Sequence, residues 1–150
     1  MMNYGFQFSL KGLLLYALQL LPNIIWMLVP PANNVLTENS SVYKILNIIE
    51  GMFGVLTVIL MIVLINKGEG SNSNLYIGLA IMFLAAYYIS WVFYYNGVVA
   101  PWLLILGIAC MPPLYFFFVG LWMKNYVLLV PCAIFGITHI LITAMNYLRP

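Results

Sequence analysis

The chain contains one histidine, His139, and three acids, Glu38, Glu50 and Glu69, of which only Glu50 falls within a long uncharged apolar run. A carboxylate in such surroundings is costly unless it is neutral, paired or in contact with water. A glutamate and a histidine within reach of each other can do three kinds of chemistry: hold a cationic group by counter-charge, handle a proton, or act as base and acid on a lipophilic substrate. One Glu and one His do not make a metal site. No P-loop, Gly-x-Ser-x-Gly, HExxH, CxxCH or dinucleotide fingerprint accompanies them, so no cofactor is expected. The first question is therefore whether the chain can bring Glu50 and His139 together.

The elements that carry them must be membrane spans. Hydrophobic residues make up 65% of the chain and charged residues 5%, with a mean hydropathy of +1.07. A soluble domain carries about a quarter charged residues, so lipid has to be the solvent for most of this surface. Five apolar segments of spanning length occur, at about 11–30, 43–66, 75–95, 98–123 and 126–148. They fill the chain as a single bundle, and the expected fold is an all-α integral membrane protein of five transmembrane helices. "PPANNVLTENSS", "NKGEGSNSN", "NGVVAP" and Lys124-Asn125 punctuate the spans. The interior of the first span holds Gln19, Pro22 and Asn23, which favours an uncleaved helix over a signal peptide. No internal repeat is visible. Five scattered basic residues, Lys11, Lys44, Lys67, Lys124 and Arg149, cannot track a nucleic-acid backbone, and nucleic acid is excluded as a partner. With the N-terminus inside, Lys11, Lys67 and Lys124 are cytoplasmic while Lys44 and Arg149 are outside, the direction of the positive-inside rule.

Helical spacing then shows which side of each span is polar. In the first span Gln19, Pro22, Asn23 and Trp26 share a face. In the second, Asn47, Glu50, Gly51 and Gly54 do so, and in the fifth, Cys132, Gly136, His139, Thr143 and Asn146. The third span carries Tyr87, Ser90, Trp91 and Tyr94 on one side. At 1.5 Å rise per residue, Glu50, Asn23 and Tyr88 lie about 10 Å, and His139 about 14 Å, from span ends on the same side of the membrane. This depth matching predicts a polar, aromatic-lined cavity open to the non-cytoplasmic face, with Glu50, His139, Asn23, Asn47, Tyr87, Tyr88, Trp91 and Gln19 as ligand-binding residues.

Pro22, Pro112, Pro113 and Pro131 are expected to kink the helices. Gly51 with Gly54, and Gly107 with Gly120, are expected to permit close helix contact. Cys110 and Cys132 read as buried free thiols. "NSS" at Asn39–Ser41 fits the glycosylation pattern. Three function classes follow: binding or transport of a small amphipathic or cationic molecule, with the carrier a homodimer; an accessory subunit packed against another membrane protein; and an enzyme using the Glu50/His139 pair. The aromatic residues near Glu50 favour the first.

Overall fold

A computed structural model describes residues 3–68 and 73–148; Glu69 and Arg149 lie outside the described residues. The helices are α1 (Leu10–Leu28), α2 (Lys44–Val63), α3 (Asn74–Tyr95), α4 (Met111–Trp122) and α5 (Tyr126–Tyr147). A π-helical stretch, Leu103–Ala109, precedes α4 and completes the fourth span. All five spans are long and apolar enough to cross a membrane. The fourth is the most buried, with 56% of its apolar window covered against 11% for α2. The spans follow one another in a ring as α1, α2, α5, α4, α3, and α3 returns to α1.

Two departures from a plain helical bundle matter. The strands β1 (Tyr4–Phe6) and β2 (Leu64–Asn66) form an antiparallel ribbon, so the second span ends at Val63 as a helix and leaves in extended form. Three-residue strands carry too little alternation to register in the sequence. The other departure is the fourth span, which changes from π to α at Cys110, just ahead of Pro112 and Pro113. The two prolines remove the amides that Ile108 O would meet in either register, i+4 or i+5, which is why the regular ladder cannot run through this point.

The ribbon end is a floor on which the last carbonyls of α2 find donors, as a helix terminus inside a membrane requires. Ser9 N donates to Ile62 O at 2.7 Å and Gln7 N to Val63 O at 2.9 Å. Asn125, 1% exposed, donates through Nδ2 to Leu60 O at 2.9 Å and Leu64 O at 2.8 Å. Its Oδ1 accepts from Leu128 N at 3.3 Å, capping α5. Gly12 lies against Met61 O, where no side chain fits. Lys11 covers the Trp122 ring at 3.4 Å.

At the opposite end the first loop forms the roof. Asn34 Oδ1 accepts from Trp26 Nε1 at 2.7 Å and from the Tyr94 hydroxyl at 3.0 Å. Asn39 Nδ2 donates to Thr143 Oγ1 at 3.0 Å, and Asn39 Oδ1 accepts from Asn146 Nδ2 at 2.9 Å. The Asn39 amide of the "NSS" triplet is thus occupied within the protein.

Three tyrosine hydroxyls tie the α1 backbone to its neighbours. Tyr115 donates to Leu15 O at 2.8 Å and Tyr95 to Val29 O at 2.8 Å. Tyr88 donates to Leu18 O at 2.6 Å. That carbonyl lies one turn before Pro22, which has no amide hydrogen to offer it. Tyr88→Phe should therefore cost about 1 kcal/mol in the parent protein. In a Pro22→Ala background, where an amide again reaches Leu18 O, the same change should cost at least about 0.5 kcal/mol less. Unfolding titrations of the four proteins of this double-mutant cycle check the coupling.

Of the glycines expected to allow close contact, three do. Gly54 faces the Phe135 ring, Gly107 faces Ser90, and Gly120 faces Leu128 and Leu129. Gly51 meets nothing within 4 Å and is exposed on the outer face of α2, because one residue along a helix turns the side chain about 100° away from Glu50. Cys132 is buried and free, and Cys110 is half-buried and free.

Candidate functional site

A cavity of about 600 Å³ lies between all five spans in the half of the bundle beneath the first loop. Its shape follows from the ring of helices. On one side α2 and α5 are packed closely, and their seam carries Glu50 and His139. Across the ring stands α3, whose Tyr87 and Trp91, one helical turn apart, both face inward. Helix α1 adds Gln19 and Asn23 beside them, and the fourth span closes the remaining side with Leu104, Ile108 and Phe116. Leu36 and Asn39 reach in from the loop.

Glu50 Oε1 and His139 Nδ1 are in contact at 2.5 Å. A hydrogen bond of this kind needs a proton between the atoms, either on the imidazole nitrogen or on the carboxyl. The pair is about three-quarters buried, with side chains 25% and 24% exposed for His139 and Glu50, and both residues line the cavity. Phe135, one turn before His139, stacks on the imidazole with ring centroids 5.3 Å apart and planes 22° apart. Gly54 leaves the room for that ring: a Cβ there would meet Phe135 at 3.2 Å. One turn after His139, Thr143 Oγ1 donates to His139 O at 2.9 Å while accepting from Asn39 of the roof. The roof is thereby tied to the helix that carries the imidazole.

On the facing wall Asn23 Nδ2 donates to the Tyr87 hydroxyl oxygen at 2.9 Å. Tyr87 and Trp91 meet edge to face at 6.1 Å, and Trp26 lies against Trp91 at 6.4 Å. These residues are 2% exposed for Tyr87 and 4% for Trp91, a close-packed aromatic layer at one end of the cavity. The cavity thus offers a carboxylate on one wall, aromatic faces and amides on the other, and aliphatic side chains between, which suits a molecule with a polar or cationic end and an apolar body.

Of the residues singled out from the sequence, Gln19, Asn23, Glu50, Tyr87, Trp91 and His139 line this one cavity. Asn47 and Tyr88 do not. Asn47 folds its amide back onto Ser41, accepting from Ser41 N at 2.9 Å and donating to Ser41 O at 2.8 Å, and so fastens the start of α2. Tyr88 points at the α1 backbone. Sequence reasoning did not assign Tyr16, Phe116, Phe135, Leu36 or Asn39 to the site. Phe135 was detectable as the residue one turn before His139. The loop residues obey no periodicity and gave no signal. No protein-family model matches this chain, and no curated protein or solved structure is significantly similar to it.

Proposed function

We propose that this multi-pass membrane protein binds a small amphipathic cation in the cavity, for sensing or for movement across the membrane. Glu50 serves as counter-charge, His139 fixes the carboxylate, and Tyr87 and Trp91 receive the apolar or cationic body of the ligand against their rings. The observation that carries this reading is the convergence of all five spans on one cavity in which the Glu50–His139 pair faces an aromatic wall. A volume of about 600 Å³ lies within the range of small-molecule sites. Bends at Pro22, Pro112, Pro113 and Pro131 would widen the bundle around it.

For orientation we take the ribbon end as cytoplasmic and the roof as external, so that the ligand arrives from the non-cytoplasmic side past the first loop. This reading is supported by Lys11, Lys67 and Lys124, which belong to the ribbon end, whereas Lys44 opens α2 at the roof. With Arg149 read from the sequence as external beside Lys44, the basic residues divide three against two, the direction of the positive-inside rule.

The test is thermal stability of the purified protein in a neutral detergent against a series of lipophilic tertiary amines, with uncharged alcohols of matched chain length as controls. A ligand that binds only the folded state raises the melting temperature with its occupancy. Amines should raise it and the alcohols should not, and Glu50→Gln should lose the response to amines by about tenfold or more in midpoint concentration. An absence of response to every amine in the parent protein would sink the proposal and turn attention to the bundle as an accessory subunit.

A further inference from the structure

Helices α1 and α2 are fastened together at the floor. There Gly12 lies against Met61 O, and Ser9 N donates to Ile62 O at 2.7 Å. Toward the roof α1 is drawn to α3 instead, whose Tyr88 and Tyr95 hydroxyls hold Leu18 O and Val29 O. The α1 stripe that begins at Gly12 continues at helical spacing as Tyr16 and Leu20, both half-buried and both lining the cavity. On α2, Val55 and Ile59 line the cavity as well, yet they are 60% and 47% exposed. The same two residues belong to a second depression, of about 540 Å³, on the outer face of α2 beside Gly51 and Met52. Side chains shared by an inner cavity and an outer groove form the rim between them, so the cavity opens sideways to the membrane between α1 and α2.

A groove with apolar walls that faces lipid suits a hydrocarbon chain and repels a polar group. Position along α2 then gives the chain a direction. Val55 and Ile59 follow Glu50 by five and nine residues, which places them about 8 and 14 Å further from the roof. A cation held at Glu50 with its chain running past Val55 and Ile59 therefore lies as an amphipath lies in the leaflet on the roof side, its charged end toward the surface and its chain toward the midplane. Building on the proposed function, we infer that the ligand is a cation with a single long alkyl chain, whose charged end sits at Glu50 and whose chain leaves through the α1–α2 opening into the groove on α2. The cavity of about 600 Å³ then encloses only the head and the first part of the chain. What lies beyond the rim is in contact with lipid, and its length and bulk are not limited by the protein.

Three tertiary amines test the opening, each kept at a small fraction of the same neutral detergent. They are dimethylbenzylamine, which the cavity can enclose, dimethyldodecylamine, and the dodecyl amine with a triphenylmethyl group at the far end of its chain. Midpoint concentrations for thermal stabilisation are measured for the parent protein and for Val55→Trp, Ile137→Trp and Glu50→Gln. In the parent the triphenylmethyl-ended amine is expected within about threefold of the plain dodecyl amine, since its bulk lies outside the rim. Val55→Trp fills the rim and should weaken both chain amines about tenfold relative to dimethylbenzylamine. Ile137→Trp, on the exposed face of α5, should leave that ratio as in the parent, and Glu50→Gln should weaken all three amines. A loss of tenfold or more on adding the triphenylmethyl group overturns the opening, because the chain is then enclosed. An unchanged ratio in Val55→Trp overturns it too, and a parent dimer dissociated by Met52→Trp would in that case assign the groove to a second copy of the chain. Stabilisation by dimethylbenzylamine alone leaves the cation site standing without the chain site. If no amine stabilises the parent, the cavity reading and the opening fall together. The comparison of the two chain amines on the parent is decisive even where a variant fails to fold.

Discussion

Asn125→Leu is expected to lower the folding free energy by about 3 to 4 kcal/mol, the largest loss from any single side chain outside the cavity. The change is nearly isosteric, so the loss comes from polar groups and not from a void. Leu64 O loses its buried donor and Leu60 O loses one of two, each unmet group costing on the order of 1 to 3 kcal/mol where water is excluded, and α5 loses its cap at a further cost of about 1 kcal/mol. Asn125→Asp separates these contributions. The carboxylate can still accept from Leu128 N, yet it turns oxygens toward the two α2 carbonyls where Nδ2 had donated. Aspartate should therefore be no better than leucine. Unfolding by sodium dodecyl sulfate titration, followed by tyrosine and tryptophan fluorescence, measures all three proteins. An Asn125→Asp protein as stable as the parent would show that the cap, and not the bridge to α2, is what Asn125 contributes.

His139→Phe is expected to cost about 2 to 3 kcal/mol. The new ring keeps the stacking on Phe135 but leaves Glu50 with an apolar neighbour and no proton partner. Breaking a buried ion pair from one side costs about 3 to 5 kcal/mol, and the lower figure applies because the cavity still gives the carboxylate access to water. The double variant Glu50→Leu/His139→Phe should recover most of this loss, since no polar group is then left unmet. In the same titration, a double variant as unstable as His139→Phe alone would mean that the loss arises from misfit packing against Phe135 and not from the stranded acid.

Both sites bear on what the sequence discloses. The polar stripes and their depth were legible because a helix imposes a fixed rise and a fixed turn, and these suffice to bring Glu50 and His139 to one level and Gln19, Asn23, Tyr87 and Trp91 to faces that can meet them. Depth says nothing of direction around the helix axis. Tyr88 sits at the right level, but about 100° from Tyr87 it cannot share the cavity, and its hydroxyl serves Leu18 O instead. Asn47 shares the face of Glu50 and lies one turn nearer the roof, where a loop carbonyl and amide lie within its reach. Asn125 drew notice only as punctuation between two spans, because its worth depends on the α2 carbonyls that folding delivers to it from a distant part of the chain. The double proline announced an interruption of the fourth span. That the interruption takes the form of a π stretch over Leu103–Ala109 leaves no mark in the apolar pattern.

The tyrosine ties of α1 have a consequence for how this helix can change over time. Tyr88, Tyr95 and Tyr115 grip main-chain oxygens at Leu18, Val29 and Leu15, and a main-chain oxygen is the same whatever side chain stands at that position. Part of the attachment of α1 is thus written in the tyrosines of α3 and α4, while the lipid-facing side chains of α1 are left almost without obligation to the rest of the molecule. Such a helix is free to drift in sequence on its outer face, and to alter the inward Gln19 independently of these backbone ties. One wall of the cavity can in this way acquire a new specificity without the bundle having to be repacked.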